Sequence, residues 1–154
     1  MDRTDLIAAR KTYDTLLNAI AANGWACRRD DGKLAVKYTV IGNGLNAEYY
    51  VLVDAENRLL WIYTELPFAF DGDMTEVGAV AVSMVNFYLD NGNFDIDVNC
   101  GKVKFRMTTS YRDSVISEEA IIFELLHSAA TVDEFGKRLR ELAQGDITID
   151  NFLK

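Results

Sequence analysis

Few stretches leave a chain as little choice as residues 93–107, NFDIDVNCGKVKFRM. Phe94, Ile96 and Val98 alternate with Asp95, Asp97 and Asn99; Val103, Phe105 and Met107 alternate with Lys102, Lys104 and Arg106. A period of two sends the apolar side chains to one face of a strand and the charges to the other. The two runs therefore predict an antiparallel hairpin with one buried and one solvated face. Closed on a two-residue Cys100-Gly101 loop, Val98 faces Val103, Ile96 faces Phe105 and Phe94 faces Met107. On the other side Asp97 meets Lys104 and Asp95 meets Arg106. Each such pair contributes roughly 0.2–1 kcal/mol, and a one-residue slip would set charge against apolar groups throughout. Cys-Gly is not a preferred pair for a type I′ turn, so a bulged loop stays open.

The same region is rich in oxygen ligands, which raises calcium. An EF-hand loop needs oxygens at positions 1, 3, 5 and 12 and Gly at 6. Counted from Asp90, position 3 is Gly92, position 6 is Asp95 and position 12 is Gly101, so the template fails. Acids matched by bases across a ladder read as a solvated sheet face, not as a metal cage or an acid–base pair.

The rest of the chain supplies partners for that hairpin. Leu6, Ala9, Tyr13, Leu16, Leu17 and Ile20 recur at three and four, predicting a helix that ends at Asn23-Gly24. Asp31-Gly32 predicts a hairpin between strands 25–30 and 33–41, with Trp25 opposite Tyr38 and Cys27 opposite Val36. Gly42-Asn43-Gly44 turns into a strand over about 47–53, and Asp54-Ala55-Glu56-Asn57 turns into another over 58–64. Both later strands are apolar on both faces, which predicts cover on both. Pro67 heads a loop to Asp73, and Asp73 with Glu76 predicts the cap of a helix over 74–89.

That helix carries the uncharged run VGAVAVSMVNFYL, residues 77–89, too short for a membrane span. Val77, Val80, Ala81, Met84, Val85 and Tyr88 form the stripe expected to meet the sheet. Gly78, Ala79 and Ser83 lie off it and are small, so a second subunit or another element can approach closely there. Ser117 with Glu118 and Glu119 starts the next helix, with Ile122, Leu125, Leu126 and Ala129 as its stripe. Thr131-Val132-Asp133-Glu134 matches a capping box and predicts a further helix ending at Gly145. The class is α+β with an antiparallel twisted sheet: helix, four-strand meander, helix, β-hairpin, two helices. Residues 1–145 form one domain, and 146–154 are expected to be an arm or partly disordered tail.

Little in the sequence carries chemistry. His127 is the only histidine, so no histidine-based zinc cluster exists, and a helix-end or packing role is the simpler reading. Cys27 and Cys100 have no metal-like spacing and read as a strand and a turn residue. Gly42-Asn43-Gly44 joins two strands rather than opening a helix, which argues against a phosphate cradle. Asp71, Asp73 and Glu76 read as loop and cap residues rather than a cation site. No catalytic motif is present. Neither a metal nor a cofactor is expected. Sixteen basic against 24 acidic residues leave a net charge of -8, which disfavours nucleic acid. MDRTDLIAARKTYD has no apolar signal core, so a cytoplasmic protein without a membrane partner is expected.

The layout resembles the YbjN-like bacterial proteins, labelled sensory transduction regulators, which share the fold of class I type III secretion chaperones. The resemblance covers roughly residues 5–142. It rests on the helix before Asn23-Gly24-Trp25, the meander, the ELPFAF loop, and VAVSMVNFYLDNGNFDIDVNCGKVKFRM with its Asn-ended helix and paired strands. It implies a helix-and-sheet sandwich, often dimeric, that holds another polypeptide or regulates, with no catalytic residues to carry over. The salt-paired last hairpin and the extra strand before the middle helix depart from the secretion chaperones.

The expectation for function is a non-enzymatic protein-binding module, chaperone-like or a regulatory adaptor. Trp61 and Tyr63 share one face of a strand, and Phe68 and Phe70 sit in the predicted loop, so these four are the expected partner contacts. The alternative is a small-ligand-sensing regulatory domain with a pocket between sheet and middle helix.

Overall fold

The structure, a computed structural model, describes residues 3–154. Its elements in chain order are α1 (Arg3–Ala22), β1 (Arg28–Asp30), β2 (Ala35–Ile41), β3 (Asn46–Asp54), β4 (Leu59–Ala69), α2 (Met74–Asn86), β5 (Asn93–Ile96), β6 (Lys102–Ser110) and α3 (Glu118–Ala143), with a short 3₁₀ turn at Ile149–Asn151. The strands form one antiparallel sheet in the order β1-β2-β3-β4-β6-β5. This is the α+β class expected from the sequence.

α1 forms as its spacing predicts, burying Ala9, Tyr13, Leu16, Ala19 and Ile20. It ends where Gly24 takes a positive φ of 67° and the Trp25 N–H donates back to the Ile20 carbonyl at 3.1 Å. One face of the sheet is apolar by alternation. Val36, Val51, Ile62 and Met107 lie side by side on it, as do Tyr49, Thr64 and Phe105, all buried. α1 and α3 pack on this face, and α2 lies against α3 and β5. Contrary to the expectation of cover on both sides, no element among the described residues covers the opposite face.

Two hairpins correct the predicted registers, and a third shares their geometry. Asp30 pairs with Ala35, Asp54 with Leu59, and Ile96 with Val103 one step beyond an Asp97–Lys102 bond of 2.9 Å. The loops are therefore 31–34, 55–58 and 98–101. Each ends on a residue at positive φ: Leu34 at 54°, Arg58 at 54° and Gly101 at 68°. Each is entered by an aspartate whose carboxylate accepts loop N–H groups, Asp30 from Lys33, Asp54 from Glu56 and Asn57, and Asp97 from Asn99. This aspartate-led turn competes successfully with the two-residue loops expected at Asp31-Gly32 and Cys100-Gly101. Phe94 consequently faces Phe105 and Asp95 faces Lys104. Arg106 still bonds Asp95, diagonally, at 3.0 Å, whereas Asp97 caps the loop instead of meeting Lys104.

Other boundaries move for physical reasons. β4 runs through Pro67 to Ala69, with its register against β6 broken between Glu65 and Ala69; a proline is tolerated at such an irregularity. Asp73 makes no side-chain cap, and α2 stops at Asn86. The two expected C-terminal helices are one. Ser117 caps it by accepting the Ala120 N–H, and its buried stripe of Ile121, Leu125, Ser128, Val132, Leu139 and Leu142 passes through Thr131 without a break. Of the stripe expected at Ile122, Leu125, Leu126 and Ala129, Leu125 is buried, Ile122 and Ala129 are half-buried and Leu126 is exposed. Asp133 caps no helix. Its carboxylate accepts the Gly44 N–H at 2.8 Å and the Leu45 N–H at 3.3 Å, pinning the β2–β3 loop onto α3. A side chain at Gly42 would collide with Asp133, and one at Gly44 with Lys137, which explains the Gly-Asn-Gly turn. The tail docks: Phe152 is buried and Arg138 donates to its carbonyl at 2.7 Å.

Candidate protein-interaction surface

The uncovered face of the sheet is built by the alternate residues of the strands whose other side makes the core. Pairing sets Lys37, Tyr50, Tyr63 and Arg106 in one row and Ala35, Leu52, Trp61 and Thr108 in the next. The Tyr50 and Tyr63 rings lie 5.3 Å apart, and the Arg106 guanidinium sits 5.8 Å from the centre of the Trp61 ring. Leu52 and Leu59 are half-buried beside them. The result is an aromatic centre on an otherwise bare sheet.

Paired charges ring it. Glu48 bonds both Lys37 and Arg28, Lys102 bonds Glu65 at 2.8 Å, and Asp95 bonds Arg106. Exposed pairs of this kind add little stability. They leave the rim nearly neutral in spite of the chain's acidity. Burial, and then the neighbouring Tyr50, raise the Tyr63 phenol above its ordinary range, so it stays a neutral hydroxyl. The Lys37 ammonium holds Glu48 below the usual carboxylate range.

The four aromatics expected as contacts separate. Trp61 and Tyr63 share the open face, and Tyr63 is 36% exposed. Phe68 is half-buried at the end of β4, edge-on to Phe70 at 6.1 Å. Phe70 is 0% exposed. Its ring fills the space left by Gly78 of α2, where a Cβ would come within 2.5 Å. Because β4 continues past Pro67, Phe70 enters the core rather than sitting in a surface loop. Leu52 and Arg106 join the site unforeseen, and Tyr50 completes it. The strand register that places them beside Trp61 was the signal needed.

On α2, Gly78 is thus consumed within the chain, Ala79 is half-buried and Ser83 exposed. The helix buries Gly78, Ala81, Val82 and Val85, so Val80 and Tyr88 face outward instead of meeting the sheet. Asn86 helps fix this rotation. Its carboxamide donates to the Phe94 carbonyl and accepts the Phe94 N–H, both at 2.8 Å, sealing the outer edge of β5. The outward row carries Val80, Ser83 and Phe87, with Phe87 83% exposed. Buried Phe94 and Phe105 rings, 5.0 Å apart, belong to the packing beneath β5 and β6. A cavity of about 590 Å³ opens at the start of α2, lined by Asp71, Thr75, Glu76 and the 98–100 loop, rather than between α2 and the sheet.

The remaining candidates are scattered. His127 stacks on Phe123 at 5.7 Å, and Cys27 and Cys100 are free thiols. Among the described residues no three His, Cys, Asp or Glu side chains group as metal ligands, and no helix is long and apolar enough to cross a membrane.

The fold is that of YbjN. The E. coli protein of that name, a candidate transcription regulator, superposes with a TM-score of 0.63 at 13% identity, covering 86% of this chain and 92% of the other. A chain of the HopA1–SchA chaperone–effector complex matches with a TM-score of 0.54 at 13% identity over 94% of this chain and 96% of its own. A chain of the ExsC–ExsE complex matches with a TM-score of 0.54 at 17% identity over 90% and 96%. No family model and no curated protein matches the sequence. The YbjN and secretion-chaperone likeness read from the sequence is therefore a likeness of fold.

Proposed function

We propose that the chain is a non-enzymatic protein-binding module of the cytoplasm, chaperone-like or a regulatory adaptor, that receives a segment of another polypeptide on the open sheet face. The supporting observation is the Tyr50–Trp61–Tyr63 centre with Arg106, left bare by the fold and rimmed by paired charges. Tyr, Trp and Arg are the residues that concentrate binding energy in interfaces, and an apolar centre with a polar rim is their usual setting. The likeness to chaperone–effector complexes agrees with this reading. The outward row of α2, with Ala79, Val80, Ser83 and Phe87, is the surface we assign to a second copy, making a homodimer. Light scattering checks that part: Phe87→Lys should yield monomer, and a wild type already monomeric would remove it.

The test of the main reading is affinity co-purification from the source cells with wild type, Trp61→Ala and Tyr63→Ala. A partner at near-equal stoichiometry should be retained by wild type and lost roughly tenfold or more by Trp61→Ala. Unchanged capture, or a variant that loses its fold, removes Trp61 from the site and the open face from the proposal.

A further inference from the structure

We infer that the segment received on the open face carries a carboxylate on each side of an aromatic side chain. The inference rests on the open-face reading and adds the chemistry of the partner. It is carried by the row Arg28, Lys37, Tyr50, Tyr63 and Arg106, one residue from each of five neighbouring strands, all on the bare side of the sheet.

As a whole the rim of that face is close to neutral, but its charge is not evenly spread. At one end of the row Glu48 is bonded by two cations, Arg28 at 2.7 Å and Lys37. At the other end Asp95 lies against Arg106 at 3.0 Å and Lys104 at 4.0 Å, and also accepts from the Asn93 amide at 2.6 Å. A single carboxylate does not neutralise two cations, so each end of the row is left positive. The Arg106 guanidinium has five N–H donors and gives Asp95 two of them. Other carboxylates of this face are engaged elsewhere: Glu65 with Lys102, Asp30 with Lys33, and Asp54 and Asp97 with N–H groups of their own loops. Between the ends stand Tyr50 and Tyr63, with Trp61 in the next row.

This pattern selects an acidic partner. Carboxylates form strong, charge-assisted bonds with Lys and Arg, and an aromatic side chain suits the uncharged rings between them. The chain's net charge of -8 repels an acidic segment from a distance. At physiological ionic strength that repulsion is screened beyond about 8 Å, so the local surplus decides at contact.

Spacing makes the pattern specific. Neighbouring strands lie about 4.8 Å apart, so Lys37 on β2 and Arg106 on β6, three strands over, are separated by about 14 Å across the sheet. An extended chain rises about 3.4 Å per residue and sends every second side chain the same way. Laid along the row, residues i and i+4 of the partner meet the two cationic ends, and residue i+2 meets the Tyr50–Tyr63 centre. The partner motif is therefore acid, any residue, aromatic, any residue, acid.

The test pans a bead-displayed library of random twelve-residue peptides on wild type at physiological ionic strength. Enriched peptides should carry Asp or Glu two residues before and two residues after a Trp, Phe or Tyr. Affinities of the best binder, read by fluorescence polarisation, are then compared across variants at exposed positions. Lys37→Gln and Arg28→Gln should each weaken it roughly threefold to fivefold, and Glu48→Gln, which frees both cations, should strengthen it by a similar factor. Replacing both peptide acids by Gln should remove the response to all three variants. A merely structural role for these side chains would not move affinity in opposite directions. Binders lost in Trp61→Ala whose flanks are neutral or basic would overturn the acidic partner and leave the open face standing. Binders indifferent to Trp61→Ala would overturn the open face with it. The inference also falls if the library yields no binder, or if Glu48→Gln weakens binding as Lys37→Gln does.

Discussion

The two faces of the sheet are written in the same strands, one residue apart, and they differ in what they answer to. On the covered face Val36, Val51, Ile62 and Met107 are sealed under helices. On the open face Lys37, Tyr50, Tyr63 and Arg106 run alongside them with nothing above. A fold needs only the first set buried, since singly wet antiparallel sheets place polar residues on the other side. Burial in the core does not call for Trp61, Tyr50 and Tyr63 on the wet side, and under the proposed function the difference between the faces separates stability from binding.

The sharpest way to break this comparison is to cut into the covered face. Ile62→Ala removes a fully buried side chain at the centre of the sheet and should cost about 2–5 kcal/mol, read as a lowered urea midpoint. A cost under about 1 kcal/mol would mean that stability does not reside on that face.

Gly101→Ala probes the junction where the last hairpin meets the end of β4. Gly101 has φ of 68°, and an added Cβ would sit 1.8 Å from the Phe70 carbonyl oxygen. Strain and collision together should cost about 2–3 kcal/mol. Gly24→Ala, at φ 67° with nothing within 4 Å of the new methyl, isolates the strain and should cost about 1 kcal/mol. Equal losses in the two variants would show that the Phe70 backbone yields.

On the open face, Trp61→Ala should change the unfolding free energy read from the urea transition by less than about 1 kcal/mol while removing partner capture. Losing as much stability as Ile62→Ala would erase the distinction between the faces.

How far these faces were legible in the sequence follows from what alternation can encode. Period two assigns each residue to a face, and the face assignments of Phe94, Phe105, Trp61 and Tyr63 hold. It does not set register, because a two-residue shift preserves every face. That is the displacement found at 31–34 and 98–101, where a turn ending on a residue at positive φ replaces the two-residue loop. Leu34 and Arg58 give no sign of that conformation by residue type. Leu34 is held there buried, and Arg58 bonds Asp5 at 2.8 Å. Helical stripes were less secure. In α2 nearly every side chain is apolar, so its rotation follows from contacts outside the helix, such as Gly78 against Phe70 and Asn86 against Phe94. Thr131-Val132-Asp133-Glu134 misled because a capping box and a mid-helix acid reaching a distant loop share the same letters. The open-face cluster became visible only once β3, β4 and β6 were in register.

The smallest expected effect concerns the one acid placed under the covered face. Glu124 is 8% exposed; one carboxylate oxygen accepts from the Thr109 hydroxyl and the other is buried without a partner. Burial raises its pKa above the ordinary 4.5, with the Thr109 bond opposing. A carboxyl raised on folding leaves stability intact below the unfolded value and erodes it as pH rises through the folded value. Wild type should therefore lose stability from about pH 4.5 upward through this group. Glu124→Gln keeps an acceptor for Thr109 and carries no charge to bury. Urea midpoints at pH 5 and pH 8 should show a smaller fall for the glutamine variant, with the two proteins closest at the acid end. Asp133 and Asp97, held low by backbone N–H bonds, weaken the fold only as pH falls, and they do so equally in both proteins. Identical slopes would mean that Glu124 ionises without cost, and the covered face would then tolerate charge as the open face does.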